Sequence, residues 1–211
     1  MIIPLILFTP ITSDALVQWE QRLGSLDESD RAYVEAAPSS KRRALRVAQL
    51  DLARAGARRF GVDDTTITLI SDEQGRPQFS PSPDPPLYLS ASHTKDVLVV
   101  AIARHQIGID IEKLRTMPQK PITLLFSPTE QEDIIDDESF TRAWVRKEAY
   151  AKWLGSGLVE TLADGVYRTE TAVHTLTIEG QLLYLGLAGA STDAESIREN
   201  RDPGEWLLGT W

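Results

Sequence analysis

The chain of 211 residues is long enough for one large domain or two small ones, and 42% apolar with 25% charged residues is an ordinary globular composition. A net charge of −9 argues against a broad nucleic-acid surface, and the absence of cysteine excludes disulfides, a thiol nucleophile and cysteine-ligated zinc. The apolar opening, residues 1–8, has no basic leader or small-residue cleavage site and is far short of the ~20 residues of a bilayer span. It is expected to be a buried strand of a cytoplasmic protein without membrane contact.

Residues 14–23 and 27–36 read as short helices, each opened by an Asp in N-cap position. Pro38-Ser39-Ser40 introduces a longer helix over 41–60, ended by Gly61. Between Lys41 and Arg59 this helix holds Lys41, Arg42, Arg43, Arg46, Arg54, Arg58 and Arg59, opposed only by Asp51. A basic island on an acidic chain suits a compact anion or an acidic partner, and equally a solvated helix face.

A strand follows over 66–70, then a turn over 72–75, a proline-rich loop over 81–86 and a strand over 87–91. Apolar runs at 97–103 and 107–111 read as two strands. Ser127-Pro128-Thr129-Glu130 carries the signature of a helix start, with Ser at N-cap, Pro at N1 and Glu at N3. A further helix is expected over 138–154, stopping at Gly155. From Tyr167 on, strands are expected, including a hairpin of 173–178 and 182–187 around Glu179-Gly180. The order of elements predicts an α/β (α+β) fold of two similar halves, 1–106 and 107–211, in pseudo-twofold arrangement with a cleft between them.

Three constellations carry chemistry. In Gly108-Ile109-Asp110-Ile111-Glu112, residues two apart share a strand face, so Asp110 and Glu112 project together and can converge on one hard cation such as magnesium. An alternating edge strand with a polar outer face gives the same pattern.

The second is the helix around Trp144. Phe140, Ala143, Trp144, Tyr150, Ala151 and Leu154 form an apolar stripe at about 100° per residue, with Lys147 near its middle and Glu148 and Lys152 on its shoulder. A lysine inside an apolar stripe must snorkel outward or meet an anion in a cleft.

The third is Gly75-Arg76-Pro77 with Ser90-Ala91-Ser92-His93. The turn presents a guanidinium suited to a phosphate rather than a protein carboxylate, and Ser92 and His93 lie at a strand end. Histidines at 93, 105 and 174 do not form a zinc set.

In this order the motifs resemble the larger, Sfp-like class of 4′-phosphopantetheinyl transferases, whose pattern runs G-(K/R)-P, S-x-S-H, G-(I/V)-D-(I/V)-E and W-x-x-K-E-A-x-x-K-x-x-G-x-G-L. The last corresponds to the stretch from Trp144 to Leu158. The resemblance implies two similar α/β halves with coenzyme A in the cleft. It implies that Asp110, Glu112 and Glu148 bind Mg2+, that Ser92, His93, Lys147 and Lys152 line the phosphates of coenzyme A, and that Arg76 meets its 3′-phosphate.

The implied reaction transfers 4′-phosphopantetheine to a serine of an apo acyl or peptidyl carrier protein and releases 3′,5′-ADP. It would serve fatty-acid, polyketide or nonribosomal peptide synthesis. Glu148 or a metal-held water would be the base, with Lys152 at the leaving group. A cleft within one chain suits a monomer. A magnesium-dependent nuclease is a rival reading, weakened by the acidic charge. An inactive carrier-binding module is another, weakened by the complete set of carboxylates and Lys152. The basic helix and the tail over 191–211 align with no specific pattern.

Overall fold

A computed structural model describes residues 4–118, 122–155, 171–178 and 180–189, together with the strands at 196–199 and 205–209. The first strand, β1 (Leu5–Pro10), is the buried strand expected of the apolar opening, and it lies inside an antiparallel sheet. Around it run α1 (Ser13–Arg22), α2 (Glu28–Glu35), α3 (Ser40–Arg59), β2 (Thr68–Ser71), β3 (Pro77–Ser80), β4 (Tyr88–His93) and β5 (Val97–Ala103). After β6 (Gly108–Lys113) come α4 (Pro128–Gln131), α5 (Asp137–Leu154), β7 (Thr171–Ile178), β8 (Gln181–Ala188), β9 (Ser196–Glu199) and β10 (Glu205–Gly209).

Among the described residues the strands form three antiparallel sheets: β4-β5-β1-β10-β9, the hairpin β2-β3, and β6-β8-β7. The mixed α/β expectation holds, with every strand pair among the described residues antiparallel. Strand β10 pairs onto the first strand, Trp206 lying opposite Ile6, and β9 pairs onto β10. Tyr167, Trp211 and the motif end Ser156-Gly157-Leu158 lie outside the described residues.

Alternation along β1 and β5 builds two cores on the two faces of one sheet. Leu5, Leu7, Val100 and Ile102 face α3 and pack with Val47, Leu50 and Ala53. Ile6, Val99 and Ala101 face the other way and meet Ile109, Ile111, Leu183 and Leu185 of β6 and β8. The layer order is therefore α3, first sheet, β6-β8-β7, α5. Because Ile109 and Ile111 are drawn into the inter-sheet core, Asp110 and Glu112 are left on the α5 side of β6.

Two glycines set how near α5 comes. A Cβ on Gly108 would lie 2.0 Å from Ala149 O and 2.5 Å from Trp153 N, and one on Gly186 2.2 Å from Val145 O. Both obstacles are helix backbone, so the contact cannot be relieved by a rotamer change.

Several local readings are corrected. Thr12 rather than Asp14 caps α1, accepting from Ala15 N. Strand β3 was not anticipated. The strong start at Ser127 opens a helix of only four residues, with Ser127 N donating to the Glu130 carboxylate. Leu154, placed on the apolar stripe, is exposed.

The N-terminal layer is tied by Asp30, which is 2% exposed. It accepts from Arg54 at 2.7 and 3.1 Å and from Thr68 at 2.5 Å, joining α2, α3 and β2. Among the described residues no helix is long and apolar enough to cross a membrane.

Gly108→Ala should cost about 1–3 kcal/mol of stability by denaturant unfolding, because β6 and α5 must separate. A loss within error would mean that the two backbones can part freely. Burial pushes the His174 imidazole on β7 below its ordinary 6.5, and its Nε2 is buried without a hydrogen-bond partner. As pH falls below that ordinary value the unfolded chain takes up the proton first, so stability present above it is lost on the way down to the folded value. His174→Gln should flatten the decline in Tm between pH 7 and pH 5. An unaltered slope would assign that decline to other groups.

Candidate active site

The site lies along the seam between β4 and β6, which side chains bridge. Ser90 and Ser92, two apart on β4, both reach β6: Ile109 N donates to Ser90 Oγ at 3.1 Å, and Ser92 Oγ donates to Asp110 Oδ1 at 2.7 Å. That explains the serine at both outer positions of Ser90-Ala91-Ser92. The first locks the strands together, and the second holds a buried carboxylate.

Helix α5 supplies the other wall. Lys152 Nζ meets the same Asp110 Oδ1 at 2.8 Å. Asp110 is 5% exposed, and its Oδ2 is buried with no hydrogen-bond partner. Glu112 accepts from Arg115 at 2.8 Å. Burial raises the Glu112 carboxyl above its ordinary value, the charge of Asp110 adding to this while Arg115 opposes it. Burial likewise raises Glu148, with further push from Asp110 and Glu112 and relief from Lys152 and Arg115. Asp110, Glu112 and Glu148 are thus electrostatic neighbours.

They do not form a closed cage: among the described residues no group of three or more His or acidic side chains is drawn together closely enough to hold a metal ion. The donor chemistry nevertheless fits a hard divalent cation, since an orphaned carboxylate oxygen is flanked by two acids that each resist ionising.

Lys147 is placed differently from the expected phosphate contact. Its ammonium is fully buried, donating to Leu125 O at 2.7 Å and to the Glu130 carboxylate at 3.0 and 3.2 Å, with Nζ 4.9 Å from the Phe126 ring centroid. Of the two fates for a lysine in an apolar stripe, neither is taken. The anion comes from the chain itself, inside the core, and was visible in the sequence only as a capping residue. Burial lowers the Lys147 pKa, and Glu130 opposes the shift.

Arg76 is also placed in a way that sequence did not anticipate. Gly75, at φ +80°, turns the chain so that Asp72 accepts from Arg76 N at 2.8 Å and from Arg76 Nε at 2.6 Å. The guanidinium therefore does pair with a protein carboxylate. Its Nη1 end projects across to the C-terminus of α5, only 1.8 Å from where a Cβ on Gly155 would stand. Gly155, at φ +72° in the left-handed region, thus both ends the helix and makes room for Arg76.

Two cavities flank this centre. One, of about 370 Å³, is bordered by Arg76, Tyr88, Gln106 and Lys152; the other, of about 350 Å³, by Arg42, Arg46, Gly75, Ser92 and His93. His93 has an open surface, yet burial of its ring lowers its pKa, helped by the charges of Lys152, Lys41 and Arg42.

The basic helix divides accordingly. Its later arginines are committed within the fold, Arg54 to Asp30 and Arg58 to Asp64, while Lys41 and Arg42 at its start act on the His93 pocket. Arg115 was missed by sequence reading. Its only signal was three-residue spacing from Glu112, which is common on any surface.

The model of the 4′-phosphopantetheinyl transferase superfamily matches residues 106–203, which include β6 and α5. A 4′-phosphopantetheinyl transferase of Bacillus subtilis is 32% identical over 110 residues, 49% of this chain and 48% of the relative. The transferase Sfp of Bacillus subtilis strain 168 is 30% identical over 108 residues, 48% of this chain and 47% of the relative. The transferase AcpT of Escherichia coli O157:H7 is 28% identical over 121 residues, 53% of this chain and 61% of the relative. The aligned stretch spans about half the length of the first two. Sequence motifs and comparisons agree: this chain resembles the 4′-phosphopantetheinyl transferases, and residues 106–203 carry its match to that superfamily.

Proposed function

We propose that the protein transfers 4′-phosphopantetheine from coenzyme A to a serine of an apo acyl or peptidyl carrier protein, releasing 3′,5′-ADP, with Mg2+ as cofactor. The observation that carries this reading is the convergence of three motif segments on one carboxylate. Asp110 of β6 is held by Ser92 of β4 and Lys152 of α5. Belonging with the reading are a monomer acting in the cytoplasm and a site between two halves, 1–106 and 107–211.

Asp110, through Oδ2, with Glu112 and Glu148 would hold the magnesium, which when bound would neutralise the pyrophosphate and stabilise charge on the leaving group. The carrier serine Oγ attacks the β-phosphorus. The bond from that phosphorus to the bridging oxygen breaks, and the bridging oxygen leaves with 3′,5′-ADP. Glu148, whose burial favours the protonated form, is suited to take the serine proton. Lys152 is suited to the departing phosphate, since its ammonium is already at the site. His93, with Arg42 beside it, lines a pocket suited to phosphate, and Arg76 is assigned to the 3′-phosphate. Lys147, fully buried, is left out of substrate binding and holds α5 to the segment around Glu130.

Transfer is measured by the mass of an apo carrier protein incubated with coenzyme A and Mg2+. Glu148→Gln and Asp110→Asn should lower kcat by about 100-fold or more while leaving the circular dichroism spectrum unchanged. Wild-type activity in excess EDTA, or a Glu148→Gln variant at full rate, would remove the mechanism. Arg76→Ala should weaken coenzyme A by roughly 10–100-fold and dephospho-coenzyme A, which lacks the 3′-phosphate, far less. Equal losses for the two ligands would take the 3′-phosphate away from Arg76.

A further inference from the structure

Asp110 and Glu112 already carry cations supplied by the chain. Lys152 Nζ stands 2.8 Å from Asp110 Oδ1, and Arg115 Nη1 stands 2.8 Å from Glu112 Oε1. The second pair is more than a chance meeting of near neighbours, because α5 holds Arg115 at two points. Arg115 N donates to Thr141 Oγ1 at 2.9 Å, and Thr141, fully buried, donates in turn to Asp137 O at 2.7 Å. The guanidinium lies 4.6 Å from the centroid of the Trp144 ring, within cation–π range. Trp144 and Glu148 are four residues apart and share a helix face. The tryptophan that opens W-x-x-K-E therefore keeps a guanidinium beside the carboxylates.

A divalent cation on Glu112 would share with Arg115 a carboxylate whose Oε1 the guanidinium already holds, and two such charges side by side repel. We propose that Arg115, held by Trp144, is a positioning residue that occupies Glu112 in the metal-free protein and competes with the divalent cation for it. The proposal rests on the metal reading of this carboxylate set. Competition gives the half-buried acid a partner whenever the cation is away, and it sets cation affinity below what the carboxylates alone would reach.

The test is Mn2+ binding to the full chain without coenzyme A, followed by the electron paramagnetic resonance signal of free Mn2+. Arg115→Met, which keeps a long stem against Trp144, should lower the Kd for Mn2+ about 5–10-fold, the size of a partly exposed ion pair. Arg115→Gln provides a second removal of the charge should the first variant fold poorly. Arg115→Lys keeps the charge and should remain near the wild-type Kd. In a Glu112→Gln background the gain from Arg115→Met should vanish, because there is no longer a shared carboxylate to contest.

Unchanged or weaker Mn2+ binding in both charge-removing variants would overturn the proposal and make Arg115 a residue that orients Glu112. The same gain with and without Glu112 would overturn it too, as a general charge effect. Failure of the wild type and every variant to bind Mn2+ would instead overturn the metal reading beneath it.

Discussion

The close seat of α5 on the sheet of β6 and β8 governs everything at the site. Gly108 and Gly186 let helix backbone come to a distance that any side chain would block. Glu148 and Lys152 sit on the helix, and Asp110 and Glu112 on the strand beneath it. Their proximity depends on two absent methyl groups rather than on any attraction between them. Attraction alone would not do it, since three of the four are acids and burial raises two of those. Close packing of backbone forces like charges together, and the charges then demand cations.

The chain meets that demand with its own side chains. Lys152 lies on Asp110, Arg115 on Glu112, and Lys147 on Glu130 deeper in the same helix. The three pairs differ in solvent access and hence in character. The Lys147–Glu130 pair is 1% exposed on both sides and ties α5 to α4, where breaking it would strand a buried charge. The other two keep a partly open cation over a more buried acid. Within one helix, burial separates Lys147, shut inside the core with Glu130, from Lys152, which stays partly open over Asp110.

The N-terminal layer contributes in a quieter way. The Asp30 network and the alternating faces of β1 and β5 present β4 at the edge of its sheet, beside β6. Two serines then replace the backbone ladder that these strands lack. The turn at Gly75 carries Arg76 toward the C-terminus of α5, and the pocket on its other side collects His93 and the first turns of α3. Basic charge on an acidic protein is thus concentrated where two cavities open, although Arg54 and Arg58 of the basic helix are spent on internal pairs.

The sequence by itself determined the strand face shared by Asp110 and Glu112, the helix through Glu148 and its stop at Gly155, the buried first strand and the hairpin of β7 and β8. Each follows from a period of 2 or 3.6 or from local turn chemistry, which short stretches of chain express unaided. The motif order carried the resemblance for the same reason. Partners distant in the chain were decided only by tertiary structure: Glu130 for Lys147, Trp144 for Arg115, and β10 for β1. A lysine in an apolar stripe reads identically whether its anion is a ligand or a glutamate seventeen residues away. Periodicity tells which face a side chain takes, and only packing in three dimensions tells what stands opposite it.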